Sequence, residues 1–170
     1  WEIDAADVQQ TDDGARVSAA VDDADGGFDI RAEMPFGVGT STFEVVGSQA
    51  IIRGDLGSHT YVQMQHLIEN YPDVDTLVLL DIGGSVNDEV NVETGRLVRE
   101  AGLTTLVPAD GRIFSGGVDL FAAGARRVAE PGAVLGVHSW CCGPNGESAH
   151  LLEHDDPGHA SQLAFVREML

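Results

Sequence analysis

The clearest hydrophobic patterning begins near Ser41. Phe43-Glu44-Val45-Val46 and Ala50-Ile51-Ile52-Arg53 flank Gly47 and predict two short strands. Val62, Met64, Leu67, Ile68 and Tyr71 recur at helical spacing, and Pro72 closes that helix. Val74 to Leu80 is almost continuously apolar after Asp75, the pattern of a strand covered on both faces of a parallel sheet. Gly83-Gly84 ends it. Ser85 or Asn87 is placed to cap the next helix, whose apolar side is Val90, Leu97 and Val98 and whose terminating residue is Gly102. Leu103 to Val107 predicts a strand, and Ser115 to Gly124 a compact apolar helix. Ala133 to Val137 predicts a strand ending at His138, and residues 159–170 a last helix. Strands alternating with helices predict an α/β layered domain over residues 41–170.

Residues 1–40 read differently. They are rich in Asp, Ala and Gly with weak periodicity, and predict an acidic segment, partly disordered or β-containing. Asp22-Asp23-Ala24-Asp25-Gly26-Gly27 reads as a turn or linker, with β structure around Phe28 to Met34. No internal repeat is visible. A length of 170 residues fits one domain. With 43% hydrophobic and 22% charged residues, collagen, coiled coil and wholesale disorder are excluded. No apolar run reaches the ~18 residues of a membrane-spanning helix. The chain opens at Trp1 rather than Met, which predicts a fragment or a processed product.

Charge changes the picture most. Asp and Glu number 28 against 9 Lys and Arg, for a net charge of -19. Nucleic acid and anionic membrane need a basic face, so neither is an expected partner. A dense carboxylate surface also suits salty surroundings. Residues 1–30 contribute much of the excess, with Arg16 their only base, yet the remainder is still strongly acidic. All the bases are Arg. Without Lys, the chain has no lysine general base, Schiff base or P-loop lysine. Adjacent Cys141 and Cys142 lack zinc-site spacing and read as two free thiols in a loop.

Three segments carry candidate chemistry: Asp81-Ile82-Gly83-Gly84-Ser85-Val86, Gly111-Arg112-Ile113-Phe114-Ser115-Gly116-Gly117 and Gly136-Val137-His138-Ser139-Trp140. A serine hydroxyl needs a neighbouring base to become a nucleophile, and His serves near neutral pH. The developing oxyanion needs N–H donors that already point at it, which glycines at strand-to-helix turns supply. Ser115 with His138, plus the N–H groups of Gly84 and Gly116, would make an acyl-transfer site at the C-terminal ends of parallel strands. Each element alone also has a structural reading: Gly-Gly as a turn, Ser115 as a helix cap, His138 as a packing residue. His150, His154, Asp155, Asp156 and His159 cluster, with His150 and His154 spaced to share a helix face and hold Zn²⁺, but Pro157 and Gly158 break any helix there. No metal site and no cofactor are expected. His59 and His66 read as polar-face residues of the first amphipathic helix.

Five motifs occur in order: Leu79-Leu80-Asp81-Ile82-Gly83-Gly84-Ser85-Val86, Phe114-Ser115-Gly116-Gly117, Ala122-Ala123-Gly124-Ala125-Arg126-Arg127, Pro131-Gly132-Ala133 and Gly136-Val137-His138. Together they resemble the Clp protease family, and more narrowly the exported bacterial Clp-like serine proteases within the crotonase-fold superfamily. The resemblance runs from Ala50 to Leu170, about 70% of the chain. It implies a repeated β-β-α superhelix around a mainly parallel buried sheet, and peptidase activity. By position, it implies Ser115 as nucleophile, His138 as general base, and Gly84 and Gly116 as oxyanion donors. It implies a peptide or protein substrate lying strand-fashion after Gly84, a homo-oligomer, an exported or periplasmic location, and room for a membrane anchor outside this stretch. The sequence departs from the pattern at Ile82, where the family carries proline, and at Gly116-Gly117. The family's acidic residue follows the helix in which this chain stops. That leaves an acid beyond Leu170, a dyad, or a catalytically degenerate binding module. An acyl-CoA-processing relative ranks below these, because such enzymes use a carboxylate and CoA phosphates would meet an acidic surface.

Overall fold

The computed structural model describes residues 8–11, 14–21, 28–34, 37–139, 149–153, 156 and 158–169. Cys141, Cys142, His154 and Asp155 fall outside them.

Three strands, β1 (Val8–Thr11), β2 (Gly14–Val21) and β3 (Phe28–Met34), pair antiparallel in that order. The sequence predicts only the last. Small and polar residues in β1 and β2 give too little contrast between alternate positions for a period of two to show.

The main sheet has seven strands. β4 (Thr42–Val46) and β5 (Gln49–Arg53) form an antiparallel hairpin around the turn at Gly47. After α1 (Ser58–Asn70), every pairing is parallel. β6 (Thr76–Ile82) lies on β5. Leu77, Leu79 and Ile82 have no exposed surface, as expected for a strand covered on both sides. Fully burying each such side chain is worth about 1.5–3 kcal/mol, so this strand anchors the fold.

From β6 the sheet divides. Thr76–Val78 pair with β7 (Thr104–Val107), while Asp81 and Ile82 pair with β8 (Arg112–Phe114). After α3 (Gly116–Ala123), β9 (Arg126–Ala129) lies on β7 and β10 (Val134–Gly136) on β8. Two strands and a helix are thus followed by two strands laid parallel on the previous pair. This is a repeated β-β-α superhelix with a mainly parallel sheet, the fold class the sequence predicts. β8 and β9 escape sequence reading for a physical reason: β8 buries only Ile113, and β9 begins with the exposed Arg126 and Arg127.

The helices bury faces that differ in part from their apolar pattern. In α2 (Asp88–Glu100), Asn87 caps the first turn by accepting from the Val90 N–H at 3.1 Å. Its buried residues are Asn91, Val92, Thr94, Gly95 and Val98; of the expected apolar side, Val98 is in the core, Leu97 packs half-buried against it, and Val90 is half-buried. In α1, His59 and His66 are not polar-face residues: they are 0% and 7% exposed. The first turn of α1 is roofed by residues 37–41, with Ser58 N–H donating to Gly37 O and His59 N–H to Val38 O. Buried Ser41, the last residue of that roof, hydrogen-bonds both Thr60 and Gln63 of α1. His66 pairs through Nδ1 with Asn70, whereas neither ring nitrogen of His59 has a partner. Burial lowers the pKa of both histidines, and nearby Glu69 partly offsets it at His66.

α4 (Gly158–Met169) returns over α2 and α3. Phe165 and Met169 enter the core. Arg99 and Arg127 both donate to the Met169 carbonyl, and Arg96 reaches Glu168 at 3.0 Å. Cations at a helix C-terminus meet its unpaired carbonyls and its partial negative charge, so these arginines fasten the helix end.

Candidate active site

β8 passes into α3 through one residue, Ser115. It is the only non-glycine with positive φ among the described residues, at φ 50° and ψ -123°. This sparsely populated conformation costs about 1–3 kcal/mol. It occupies the cap position of α3, yet its side chain makes no cap hydrogen bond. The hydroxyl instead lies 2.7 Å from His138 Nε2.

The strand register brings these two residues together. Gly136 on β10 lies opposite Phe114 on β8, and Ser115 N–H extends the pairing by donating to the Gly136 carbonyl at 2.9 Å. Serine and histidine therefore leave adjacent parallel strands at nearly the same level. His138 Nδ1 lies 2.6 Å from the Ser139 carbonyl oxygen. A carbonyl only accepts, so the ring proton sits on Nδ1 and the Nε2 lone pair receives the Ser115 O–H. That is the tautomer a general base requires. Among the described residues no carboxylate bonds to Nδ1; a backbone carbonyl holds the position that the resemblance assigns to an acid. Asp156 and His159 hydrogen-bond each other's turn, His159 N–H to Asp156 O at 2.9 Å, and no group of metal-ligating side chains forms among the described residues.

Gly84 and Gly116 flank the serine. Gly84 has φ 153°, and a Cβ there would stand 3.3 Å from Ser115 Cβ. Its carbonyl accepts from Leu56 N–H, which fastens the loop to the residues after β5. At Gly116 a Cβ would fall 2.4 Å from Ser85 Cβ and 3.0 Å from Ser85 N, so only glycine permits this approach of the two loops. As the first residue of α3, Gly116 has an N–H with no partner inside the helix, and the helix N-terminus adds partial positive charge.

Ser115, His138 and Gly84 open onto a cavity of about 440 Å³, which Asp88, Asp119 and Gln162 also line. Asp119 stands one helical turn after Ser115 and accepts a hydrogen bond from Gln162 of α4 at 3.0 Å. Burial raises its pKa. The Asp88 charge raises it further, while the Gln162 bond and the proximity of His138 act in the opposite sense.

No family model matches this chain. No curated protein matches it. Among solved structures, it is similar to DspI of Pseudomonas aeruginosa, with 17% identity and a TM-score of 0.45 over 58% of this chain and 52% of that one. It is also similar to a putative enoyl-CoA hydratase from Rhodopseudomonas palustris, with 13% identity and a TM-score of 0.43 over 57% and 48% of the two chains. The chain spans about half the length of these structures. The strand pairings themselves establish the α/β fold class.

Sequence reasoning missed several residues around the site. Asp119 had a readable signal, the Ser-x-x-x-Asp spacing that puts both side chains on one helix face. Asp88 and Asn91 read as ordinary polar residues at a helix start. The Ser139 carbonyl is backbone and leaves no mark in sequence.

Proposed function

We propose that the protein is a Clp-like serine hydrolase, with a peptide or protein as the expected substrate. The observation that carries this reading is the 2.7 Å contact between Ser115 Oγ and His138 Nε2, made by a serine whose strained backbone keeps its hydroxyl from capping α3. Ser115 Oγ attacks the substrate carbonyl carbon while Nε2 takes the hydroxyl proton. The carbonyl oxygen becomes an oxyanion held by the N–H groups of Gly84 and Gly116. Collapse breaks the bond to the leaving group, which receives the proton from His138 and departs, leaving an acyl-enzyme. Water then attacks the acyl carbon, giving its proton to Nε2, and Ser115 is released as its proton returns. The Ser139 carbonyl keeps the imidazole in its working tautomer throughout.

The runner-up is a catalytically degenerate binding module, favoured by the absence of a carboxylate on Nδ1 among the described residues. An acyl-CoA substrate ranks lower, because the charged side chains lining the cavity with His138 are the acids Asp88 and Asp119. Their field opposes the phosphates of CoA. The homo-oligomer and the exported or periplasmic location belong with the Clp-like reading; among the described residues no helix is long and apolar enough to cross a membrane. A fluorophosphonate probe separates the readings, since only an activated serine reacts with it. The hydrolase reading expects covalent labelling at Ser115, lost in Ser115→Ala and His138→Ala. No labelling of the unaltered protein, at any pH from 6 to 9, leaves the binding module.

A further inference from the structure

Asn91 is 3% exposed and sits in the first turns of α2, directly beneath the two loops that flank Ser115. Its Nδ2 donates to the Gly116 carbonyl at 2.9 Å, across 25 residues of sequence. Its Oδ1 has no partner. The same Nδ2 stands 3.0 Å from where a Gly116 Cβ would be, and Ser85 closes the other side of that space. As a contributor to stability this arrangement is poor. A buried amide with half its hydrogen-bonding capacity unmet carries a desolvation cost that an apolar side chain of similar volume would avoid. What it does accomplish is local. The amide fixes the Gly116–Gly117 peptide plane, and so limits rotation at Gly116, the residue that follows Ser115 and whose own N–H belongs to the Ser115–Gly116 peptide.

We infer that Asn91 is a positioning residue of the oxyanion loop, setting Gly116 against the Gly84–Ser85 loop so that both N–H groups address one point beside Ser115. This rests on the hydrolase reading above. Asn91 touches no substrate; it acts through Gly116. Its loss therefore weakens stabilisation of the tetrahedral species and leaves binding of the intact substrate nearly untouched. The Ser115–His138 pair, which Asn91 does not contact, keeps its own pH dependence.

The test follows fluorophosphonate labelling of the full chain as two constants, the apparent affinity of the probe and the rate of the covalent step. Asn91→Leu should slow the covalent step about 10–100-fold, the range for displaced or lost catalytic donors. Probe affinity and the pH midpoint should stay unchanged, and the melting temperature should equal or exceed that of the unaltered protein. Asn91→Asp supplies a second arm that does not depend on tolerance of Leu. Its carboxylate cannot donate to the Gly116 carbonyl, but its protonated form can, so its covalent rate relative to the unaltered protein should recover as pH falls. Labelling of Asn91→Leu at the unaltered rate overturns the inference and spares the hydrolase reading. A loss of labelling that merely tracks the unfolded fraction, with no recovery of Asn91→Asp at low pH, also overturns it. Failure of the unaltered protein to label at all removes both.

Discussion

Replacing Ser115 by glycine should make the protein more stable than replacing it by alanine. Both variants lose the hydroxyl and its bond to His138, so that term cancels between them. Neither loses a helix cap, because the hydroxyl makes none. They differ in backbone. Alanine must still hold φ 50° and ψ -123°, a conformation costing a non-glycine residue about 1–3 kcal/mol. Glycine is released from most of that cost but gains about 0.4–1 kcal/mol of freedom in the unfolded chain. The net advantage of Ser115→Gly is therefore about 0.5–2 kcal/mol. At about 2–4 °C per kcal/mol for a chain of this size, the melting temperatures should differ by ~1–8 °C. Differential scanning calorimetry of the two variants in one buffer reads this directly, and urea titration checks that the slope is unchanged. Equal melting temperatures, or alanine above glycine, would refute the claim that strain is stored at the nucleophile.

Three other outcomes follow from buried and surface charge. His59→Met removes two unpartnered ring nitrogens and should stabilise the fold by about 1–3 kcal/mol near neutral pH. Because burial lowers the folded pKa of His59, the unfolded chain binds the extra proton, and stability falls as pH drops from about 6.5 toward the folded value. The variant should flatten that slope in urea unfolding at pH 5.5 and 7.5, and an unchanged slope would count against it. Asp119 has the opposite sign: its folded pKa is raised, so its contribution is favourable below the ordinary carboxylate range and is lost as pH rises through the folded value. Asp119→Asn, which still accepts from Gln162, should raise the melting temperature at pH 7 and not at pH 3.5. Finally, a net charge of -19 repels itself across a Debye length of about 30 Å at 0.01 M salt, so the melting temperature should rise on going to molar salt. A flat or falling curve would contradict this.

The buried strand read at Val74–Leu80, found at Thr76–Ile82, and the helix end at Gly102 were legible from residue type at fixed spacing, and Asn87 was one of two cap candidates. Ser115 and His138 were paired by their chemistry and by the motif order of the resemblance. Gly102 takes φ 70° as a helix terminator should. What stayed hidden depends on tertiary position. The histidines of α1 carry a polar signature, and tertiary position decides their burial: residues 37–41 roof the turn that holds His59, and His66 lies against Asn70 and Tyr71. Strands β8 and β9 are defined by partners rather than by an alternating face. Asn91 is indistinguishable in sequence from a solvated helix residue until Gly116 is packed against it. The partner of His138 Nδ1 is a carbonyl, which every residue possesses.

The parallel register of β8 and β10 makes the reactive pair sensitive to length rather than to composition. Serine and histidine are spaced by counting along two adjacent strands from the pairing of Gly136 with Phe114. One residue inserted between Val134 and His138 would advance the imidazole by ~3.3 Å and turn it to the other face of the strand. A substitution at the exposed Leu135 does neither. The same count tells a designer where this pair can be transplanted: onto two neighbouring parallel strands of equal reach, one opening into a helix, with the intervening loop free to be rebuilt at any length that preserves the register.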